Sequence, residues 1–340
     1  MNVPNEYLQS TLYRKLKEQK KKYNLARPIC LFCDLDDSYL LKYWPSEEVL
    51  STQTQKYTDT VLSPHLELYT PTIILKKYLD ENQIPLIIVT GRDIHQMNEL
   101  IASFHSKLPM HREIMDVDGI VGGVGTEVHL KMINGPFHVD AQYESLLSST
   151  GFRRGDLLKI LTPLIPRMLA QFHPQEFDFS KRDKHDSIDE LPKQPHKISL
   201  ESKCDDQTAL AILAVIRKTL DEAQYTAIKI LLSCPYKINK TINKYNFDIV
   251  PYSKEKPIQF LKDLFGVEAI VAGDSGNDFE MIMHAADIGI VVGNAKKELL
   301  DSFASVTEET KRHIMFAPKN VGGPTAILEI LKKIYPNNCK

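Results

Sequence analysis

The sequence predicts an α/β protein built around a parallel sheet, with a second α/β domain inserted into it. Short apolar segments recur along the chain, and each ends in a polar loop followed by a helical segment, which is typical of a parallel sheet. Between about residues 129 and 250 the character changes, and strand-like segments flank one long helical segment. The apolar segments that predict strands of the sheet are Ile29 to Cys33, Pro85 to Val89, Ala269 to Ala272 and Ile288 to Val292.

These patterns divide the chain into three parts. Residues 28–128 and 251–340 form the predicted sheet domain, and residues 129–250 form the inserted domain, in which HKISLES and AIKILLSC predict strands. Residues 1–27 are a basic N-terminal extension, which we interpret as a solvated surface helix. Attraction to an anionic membrane surface is the alternative interpretation, although the apolar stripe of this helix is thin.

Two polar segments predict long loops. The segment after the first strand contains the only tryptophan, Trp44, and is interpreted either as a lid over a substrate pocket or as a surface elaboration packed on the sheet. Residues 173–195 are charged and have little periodicity, which predicts a surface loop.

Composition narrows the class of protein. The chain of 340 residues has a formal net charge of −2, so it lacks the basic field that attracts nucleic acid. No apolar run reaches the roughly 20 residues that span a bilayer, and the N-terminus lacks the apolar core of a secretion signal. The odd number of cysteines favours reduced thiols, and Cys30 and Cys33 would point to opposite faces of a strand. We therefore expect a soluble, cytoplasmic protein without a nucleic-acid partner; the oligomeric state is not predicted.

Polar loops from distant parts of the chain form the candidate site. In open α/β sheets, ligands bind outside the carboxyl ends of the strands, so loops in this position converge on one crevice. Clustered carboxylates raise one another's pKa unless a cation compensates them, and a hard cation such as Mg²⁺ suits oxygen ligands. Because Mg²⁺ usually binds phosphate oxygens too, a phosphorylated small-molecule substrate is expected. The residues brought together in this way are Asp34, Asp36, Thr90, Lys254, Asp274 and Asp278.

The same residues resemble the motifs of the haloacid-dehalogenase-like (HAD) phosphatases. The family motif DxDx[TS] is matched by residues 34–38 (DLDDS), the second motif by LIIVTGR, the third by YSKEKPIQFL and the fourth by AGDSGNDFEM. The segments GDSGND, VVGNA, HKISL and VGTEV are most similar to the sucrose-phosphate phosphatase and Cof-type branch. This resemblance covers residues from about 28 to 335, and it implies a Rossmann-like parallel-sheet core with an inserted α/β cap.

The chemistry and the resemblance together imply a role for each residue. Asp34 would attack phosphorus and form an aspartyl-phosphate, while Asp36 would protonate the leaving alkoxide and then activate water. The phosphoryl oxygens would contact Thr90, Gly91 and Lys254. The Mg²⁺ would be held by Asp34, by Asp36 through its backbone carbonyl and by Asp274, and Asp278 would complete the metal site by orienting the metal shell or Lys254.

One phosphate-binding position has two candidates. The chain has Lys254-Glu255-Lys256-Pro257 where the family commonly has Lys-Gly, so Lys256 is a rival to Lys254. Lys254 is preferred because apolar residues then follow four and seven positions later, as in the family helix. Weaker substrate candidates, each with a structural role as the alternative, are Gly125, Thr126, Glu127, Lys197 and Asn277.

The resulting functional hypothesis is a Mg²⁺-dependent phosphatase that hydrolyses a sugar phosphate, such as sucrose 6-phosphate or a related glycosyl phosphate. A Cof-like phosphatase of broad specificity, a mannosylglycerate-type phosphatase and a phosphomutase are alternatives, because they share the same motifs. A protein that binds phosphate without turnover is the alternative from another class; the presence of both Asp34 and Asp36 argues against it.

Overall fold

The computed structural model describes residues 3–41, 69–180, 194–239, 241–319 and 321–335. The predicted loop around Trp44 lies almost wholly outside the described residues. The larger part of the predicted loop over residues 173–195 also lies outside them.

The strands and helices follow the alternation that the sequence predicts. In chain order, the strands of the described residues are β1 (Ile29–Asp34), β2 (Leu86–Val89), β3 (Gly119–Gly122), β4 (Glu127–Lys131), β5 (Phe137–Val139), β6 (Glu176–Phe179), β7 (Ile198–Cys204), β8 (Lys229–Lys237), β9 (Asn243–Val250), β10 (Glu268–Gly273), β11 (Ile288–Val291) and β12 (Ile314–Phe316). The helices are α1 (Thr11–Tyr23), α2 (Thr70–Glu81), α3 (Ile94–Lys107), α4 (Ala141–Ser148), α5 (Arg154–Leu161), α6 (Leu164–Phe172), α7 (Asp206–Glu222), α8 (Glu255–Phe265), α9 (Lys297–Ala304) and α10 (Gly323–Ile334).

In the part of the chain that the structure describes, the larger sheet has eight strands in the order β12-β11-β10-β1-β2-β3-β4-β5. Its strands from β12 to β3 are parallel, and β4 and β5 are antiparallel additions at one edge. Strand β1 therefore lies between β10 and β2, and the carboxyl ends of these three strands are neighbours. This arrangement confirms the predicted α/β class with a parallel-dominated sheet.

Apart from Asp34 at the end of β1, strands β1 and β2 are apolar, as is usual where both faces of a parallel sheet are covered. Every residue of β1 and β2 is buried. Cys30 and Cys33 are free and fully buried in β1, and burial raises the pKa of both thiols.

The chain forms two compact units. Within the described residues, the first contains residues 3–41, 69–143, 254–319 and 321–335, and the second contains residues 144–180, 194–239 and 241–253. Residues 129–131 of β4 and all of β5, which the prediction assigned to the inserted domain, belong to the sheet of the first unit, where β4 pairs with β3 and β5 pairs with β4. The reason is that the chain turns back along the edge of the sheet before it leaves the unit.

The N-terminal segment also belongs to the first unit, whereas the prediction treated it as an extension. Leu12 and Leu16 of α1 are buried, and the Gln19 side chain hydrogen-bonds both the backbone N–H and the carbonyl of Ile29. The exposed face of α1 is basic, with Lys17 and Lys20 pointing into solvent. This basic helix is therefore anchored to β1 by side-chain contacts.

The second unit is an α/β layer of its own. Its strands form an antiparallel sheet in the order β6-β7-β9-β8, and α7 packs on this sheet through Ile212, Ile216 and Leu220. Strand β6 lies within the segment predicted to be a surface loop, so the prediction is wrong for residues 176–179. The reason is the short alternation EFDF, which buries Phe177 and pairs the strand with β7.

None of the helices in the described ranges combines the length and the apolar character that a membrane crossing requires.

Candidate active site

Three neighbouring strands deliver the candidate site residues to one edge of the sheet. Asp34 is the last residue of β1, Thr90 directly follows β2, and Asp274 directly follows β10. Because β1 pairs in parallel with both of the other strands, their ends lie side by side. The sheet order therefore brings together residues that are up to 240 positions apart in the sequence.

Three carboxylates form the centre of the site. Asp34, Asp274 and Asp278 each offer one oxygen, and these oxygens all lie within 4.8 Å of one another. All three residues are buried. Asp278 is positioned by its backbone surroundings, since its Oδ2 accepts hydrogen bonds from the backbone N–H groups of Asp274 (3.1 Å) and Ser275 (3.0 Å). Gly273 permits this geometry, because a Cβ at that position would lie 2.5 Å from the Cβ of Asp278.

Lys254 lies between two of these carboxylates. Its Nζ donates to Asp34 Oδ1 and to Asp278 Oδ1, both at 2.6 Å, and it is 3.4 Å from Asn277 Oδ1. Burial alone would lower the pKa of Lys254, but the charges of Asp278 and Asp34 outweigh it and raise this pKa. The ammonium group is therefore kept charged beside Asp34. Lys256, the rival candidate, is half-buried in the first turn of α8.

The carboxylates outnumber the cations that are buried with them. Burial, together with the charge of Asp278 and against the opposing charge of Lys254, raises the pKa of Asp34 to about 7. Burial also raises the pKa of Asp274, whose buried Oδ2 accepts no hydrogen bond from the described residues. A divalent cation prefers such carboxylate oxygens and would offset this charge. The donor set therefore fits a hard divalent metal.

Asp36 lies at the more exposed side of the site. Its carboxylate is about one-third exposed and forms an ion pair with Arg92, whose guanidinium Nη2 is 3.2 Å from Oδ1 and 3.3 Å from Oδ2. The Arg92 side chain is largely buried. A fixed guanidinium beside Asp36 restricts the rotamers that the carboxylate can adopt.

Thr90 and Gly91 begin the loop after β2. The backbone N–H of Thr90 donates to the carbonyl of Val121, and the carbonyl of Thr90 accepts from Val124 N–H. The Thr90 hydroxyl accepts a hydrogen bond from Arg92 N–H at 3.2 Å. Gly91 is exposed, and a Cβ there would meet Val124 only at ordinary contact distance.

The segment Gly125-Thr126-Glu127 makes contacts that support this loop. Thr126 Oγ1 donates to the carbonyl of Gly123, and Glu127 Oε2 accepts from the first backbone N–H of α3, at Ile94. The carbonyl of Gly125 accepts a hydrogen bond from the Tyr143 hydroxyl. These three residues therefore have structural partners within the first unit.

The last substrate candidates lie in different units. Asn277 is next to the carboxylates in the first unit and accepts a hydrogen bond from the Ser275 hydroxyl at 2.8 Å. Lys197 is in the second unit, where it is buried and forms an ion pair with Asp248 at 3.3 Å. Ser199 donates to the same carboxylate.

Sequence reasoning missed several contacts of the site. Ser38 Oγ donates to Asp274 Oδ1 at 3.1 Å, Asn294 Nδ2 donates to the carbonyl of Asp37 at 2.8 Å, and Lys296 Nζ is 3.5 Å from Asp274 Oδ2. The pairing of Arg92 with Asp36 was also missed. Each of these residues lies in a motif or in a loop after a strand, so its position was visible in the sequence although its partner was not.

One protein-family model matches most of the chain. The model of the sucrose-6F-phosphate phosphohydrolase family matches residues 71–332, which is more than half of the chain. No curated protein matches the chain in sequence.

A solved structure shows the same fold. The haloacid dehalogenase-like hydrolase yhjK of Bacillus subtilis is 17% identical with a TM-score of 0.51, over 94% of this chain and 98% of that one. A Thermoplasma acidophilum protein is 15% identical with a TM-score of 0.47, over 90% of this chain and 97% of that one. The phosphatase-superfamily member BT1666 of Bacteroides thetaiotaomicron is 15% identical with a TM-score of 0.43, over 90% of this chain and 94% of that one. The fold and the family match confirm the resemblance, and the chain belongs to the sucrose-6F-phosphate phosphohydrolase family of HAD-like phosphatases.

Proposed function

We propose that this phosphatase is a Mg²⁺-dependent phosphomonoesterase that hydrolyses a sugar phosphate through an aspartyl-phosphate intermediate. The observation that carries the proposal is the placement of Lys254, whose ammonium contacts both Asp34 and Asp278 at 2.6 Å beside the third carboxylate, Asp274. A nucleophile, a charge partner and oxygen ligands for a metal thus occupy one edge of the sheet.

Asp34 is the nucleophile. One of its carboxylate oxygens attacks phosphorus, the bond from phosphorus to the leaving-group oxygen breaks, and the phosphoryl group becomes attached to Asp34. The ion pair with Lys254 favours the ionised form of Asp34, which the attack requires. In the second step water attacks phosphorus, and the bond between phosphorus and Asp34 breaks.

Asp36 is the general acid and base. Its partly exposed carboxylate lies two residues from the nucleophile, so it can reach the opposite side of a phosphoryl group held at Asp34. It donates a proton to the leaving alkoxide in the first step and accepts one from water in the second. A sugar alkoxide is a poor leaving group, so this proton transfer lowers the barrier substantially.

The site residues also bind the phosphoryl group and the metal ion. Thr90, Gly91 and Lys254 bind the phosphoryl oxygens, and Asp34, Asp36, Asp274 and Asp278 are the residues that would hold the metal, Asp36 through its backbone carbonyl. When bound, Mg²⁺ supplies positive charge that stabilises the phosphoryl group in the transition state.

The substrate class rests on the family. A sugar phosphate is proposed because the matching family model is that of sucrose-6F-phosphate phosphohydrolases. In the first unit, the candidates for binding the leaving group are Gly125, Thr126, Glu127 and Asn277. Lys197 is a separate candidate in the second unit.

The proposal is tested by measuring phosphate release from sucrose 6-phosphate, other sugar phosphates and nucleotides, with Mg²⁺ or with EDTA. We expect hydrolysis that EDTA abolishes and that Asp34→Asn lowers by about 10³-fold or more. Asp37→Asn is the matched control, because Asp37 is a neighbouring carboxylate with a φ of +65°, a conformation that asparagine tolerates. It should keep most of the activity.

Three results would contradict the proposal or a part of it. Equal turnover with EDTA and with Mg²⁺ would remove the metal from the function. Loss of activity in Asp37→Asn but not in Asp34→Asn would remove Asp34 as the nucleophile. Preference for a nucleotide over every sugar phosphate would keep the chemistry and overturn the substrate class.

A further inference from the structure

Asp274 has two oxygens with different surroundings. Oδ1 accepts a hydrogen bond from Ser38 Oγ at 3.1 Å. Oδ2 is buried and accepts no hydrogen bond from any described residue; a cation, Lys296 Nζ, lies 3.5 Å from it. The Asp274 oxygen that accepts no hydrogen bond from the described residues is thus next to a side chain of the same charge sign as a metal ion.

The backbone holds Lys296 at this place. Its N–H donates to the carbonyl of Asp274 at 2.7 Å, so the loop after β11 is fixed to the end of β10. The side chain itself is 41% exposed. Its ammonium group can therefore move into solvent without any change in the backbone.

Lys296 differs from Lys254 in the exposure of its side chain and in the length of its carboxylate contacts. Lys254 is 1% exposed and makes two contacts of 2.6 Å with carboxylates, so it is a fixed part of the site. Lys296 makes one longer contact and reaches solvent. A divalent cation at Asp274 would repel the Lys296 ammonium, and moving this group into water costs little.

We propose that Lys296 competes with the divalent cation for Asp274 Oδ2 and thereby weakens metal binding. In the metal-free protein its ammonium offsets part of the charge of the buried carboxylates. When the cation binds, the ammonium moves into solvent. Lys296 thus sets the metal concentration at which the site fills, and it takes no part in the chemistry. This inference rests on the proposed function, because it assumes that Asp274 binds the metal.

The test is isothermal titration calorimetry of the full chain with MgCl₂ in the absence of substrate. Lys296→Met should lower the Kd for Mg²⁺ by about three- to tenfold, because it removes a positive charge close to the cation. Lys297→Met is the matched control: it removes the same charge from the next residue, whose side chain is 84% exposed and pairs with Asp301. Its Kd should stay within about twofold of wild type, because an exposed charge is screened.

Further variants separate the outcomes. Lys296→Arg keeps the charge and should bind Mg²⁺ with nearly wild-type affinity. An unchanged or higher Kd in Lys296→Met, with normal binding in the wild type, would overturn the competition and leave the proposed function intact. Asp274→Asn serves as the reference without a metal site and should not bind Mg²⁺. If the wild type also failed to bind Mg²⁺, both the metal site of the proposed function and this inference would be overturned.

Discussion

Two ends of the same sheet each place a lysine between two aspartates, yet they differ in charge balance. At the carboxyl ends of the strands, Lys254 contacts Asp34 and Asp278. At the amino ends of β2 and β3, Lys15 Nζ contacts Asp80 and Asp118, both at 3.0 Å.

The amino end is balanced. Asp80 also pairs with the buried Lys76, and Asp118 Oδ2 accepts the backbone N–H of Leu86. Two lysines thus face two aspartates within the described contacts. The carboxyl end has a third buried carboxylate, Asp274, with an oxygen that accepts no hydrogen bond from the described residues. A balanced buried ion pair therefore indicates a structural role, whereas an excess of buried carboxylates over cations is expected where a cation binds.

The largest expected difference is in activity. Lys254→Met should lower kcat/KM by about 10²- to 10³-fold, because it removes the cation beside Asp34, the proposed nucleophile. Lys15→Met should leave kcat/KM nearly unchanged, because its partners lie at the far end of the sheet. Steady-state phosphate release with the best substrate measures both. A comparable loss in Lys15→Met would contradict the separation of the two ends.

The Lys15 ion pairs should contribute to the stability of the protein although they do not contribute to its activity. Lys15→Met should lower the free energy of unfolding by about 2–3 kcal/mol, because the buried Asp118 loses its cation. The magnitude is at the low end for a buried pair because the second partner, Asp80, is 43% exposed. Lys17→Met is the control on the exposed face of α1 and should stay within about 0.5 kcal/mol of wild type. Urea denaturation measures the difference; equal values for both variants would mean that the Lys15 network adds nothing.

Mg²⁺ should stabilise the protein through the carboxylates at the carboxyl end of the sheet and not through the ion pairs at the amino end. At a Mg²⁺ concentration of about 100 times Kd, the wild type should gain about 2.7 kcal/mol of stability by linkage, and EDTA should reverse the gain. Asp274→Asn should lose this gain, whereas Lys15→Met should keep it. Thermal unfolding with and without Mg²⁺ measures the effect, and a gain that survives in Asp274→Asn would place the metal elsewhere.

The sequence predicts the carboxyl end well because the necessary signals are local. An apolar strand followed by an aspartate is visible in a window of ten residues, and parallel pairing then brings Asp34 and Asp274 together without further information. The amino end gives no such signal. Lys15, Asp80 and Asp118 lie in three segments with ordinary surface composition, and only the packing of α1 makes them partners.

The boundary of the inserted domain also depends on long-range contacts that a local sequence pattern does not show. The prediction ended the sheet domain at residue 128, because the regular alternation of strand and helix stops there. The chain instead continues as the antiparallel strands β4 and β5, whose pairing with β3 depends on contacts across the sheet edge. Edge pairing is long-range information, and the side-chain pattern of these short strands does not reveal it.

The turn after β3 gives the smallest predicted effect, because it acts on the site through the backbone. A Cβ at Gly122 would lie 2.9 Å from the carbonyl oxygen of Arg92, which also accepts a hydrogen bond from Gly123 N–H. Gly122→Ala should shift the loop that holds Thr90 and Arg92, and lower kcat/KM by about tenfold, since small misplacements of site residues are costly.

Gly155→Ala is the matched control for this last effect. A Cβ at Gly155, in α5 of the second unit, would meet no atom within 4 Å, so activity should be unchanged and stability should rise by about 0.4–1 kcal/mol. If Gly122→Ala kept full activity while its crystal structure showed a displaced Arg92, the contact between Arg92 and Asp36 would not matter for turnover. Asp36, the proposed general acid, would then be positioned by the backbone of the loop after β1 alone.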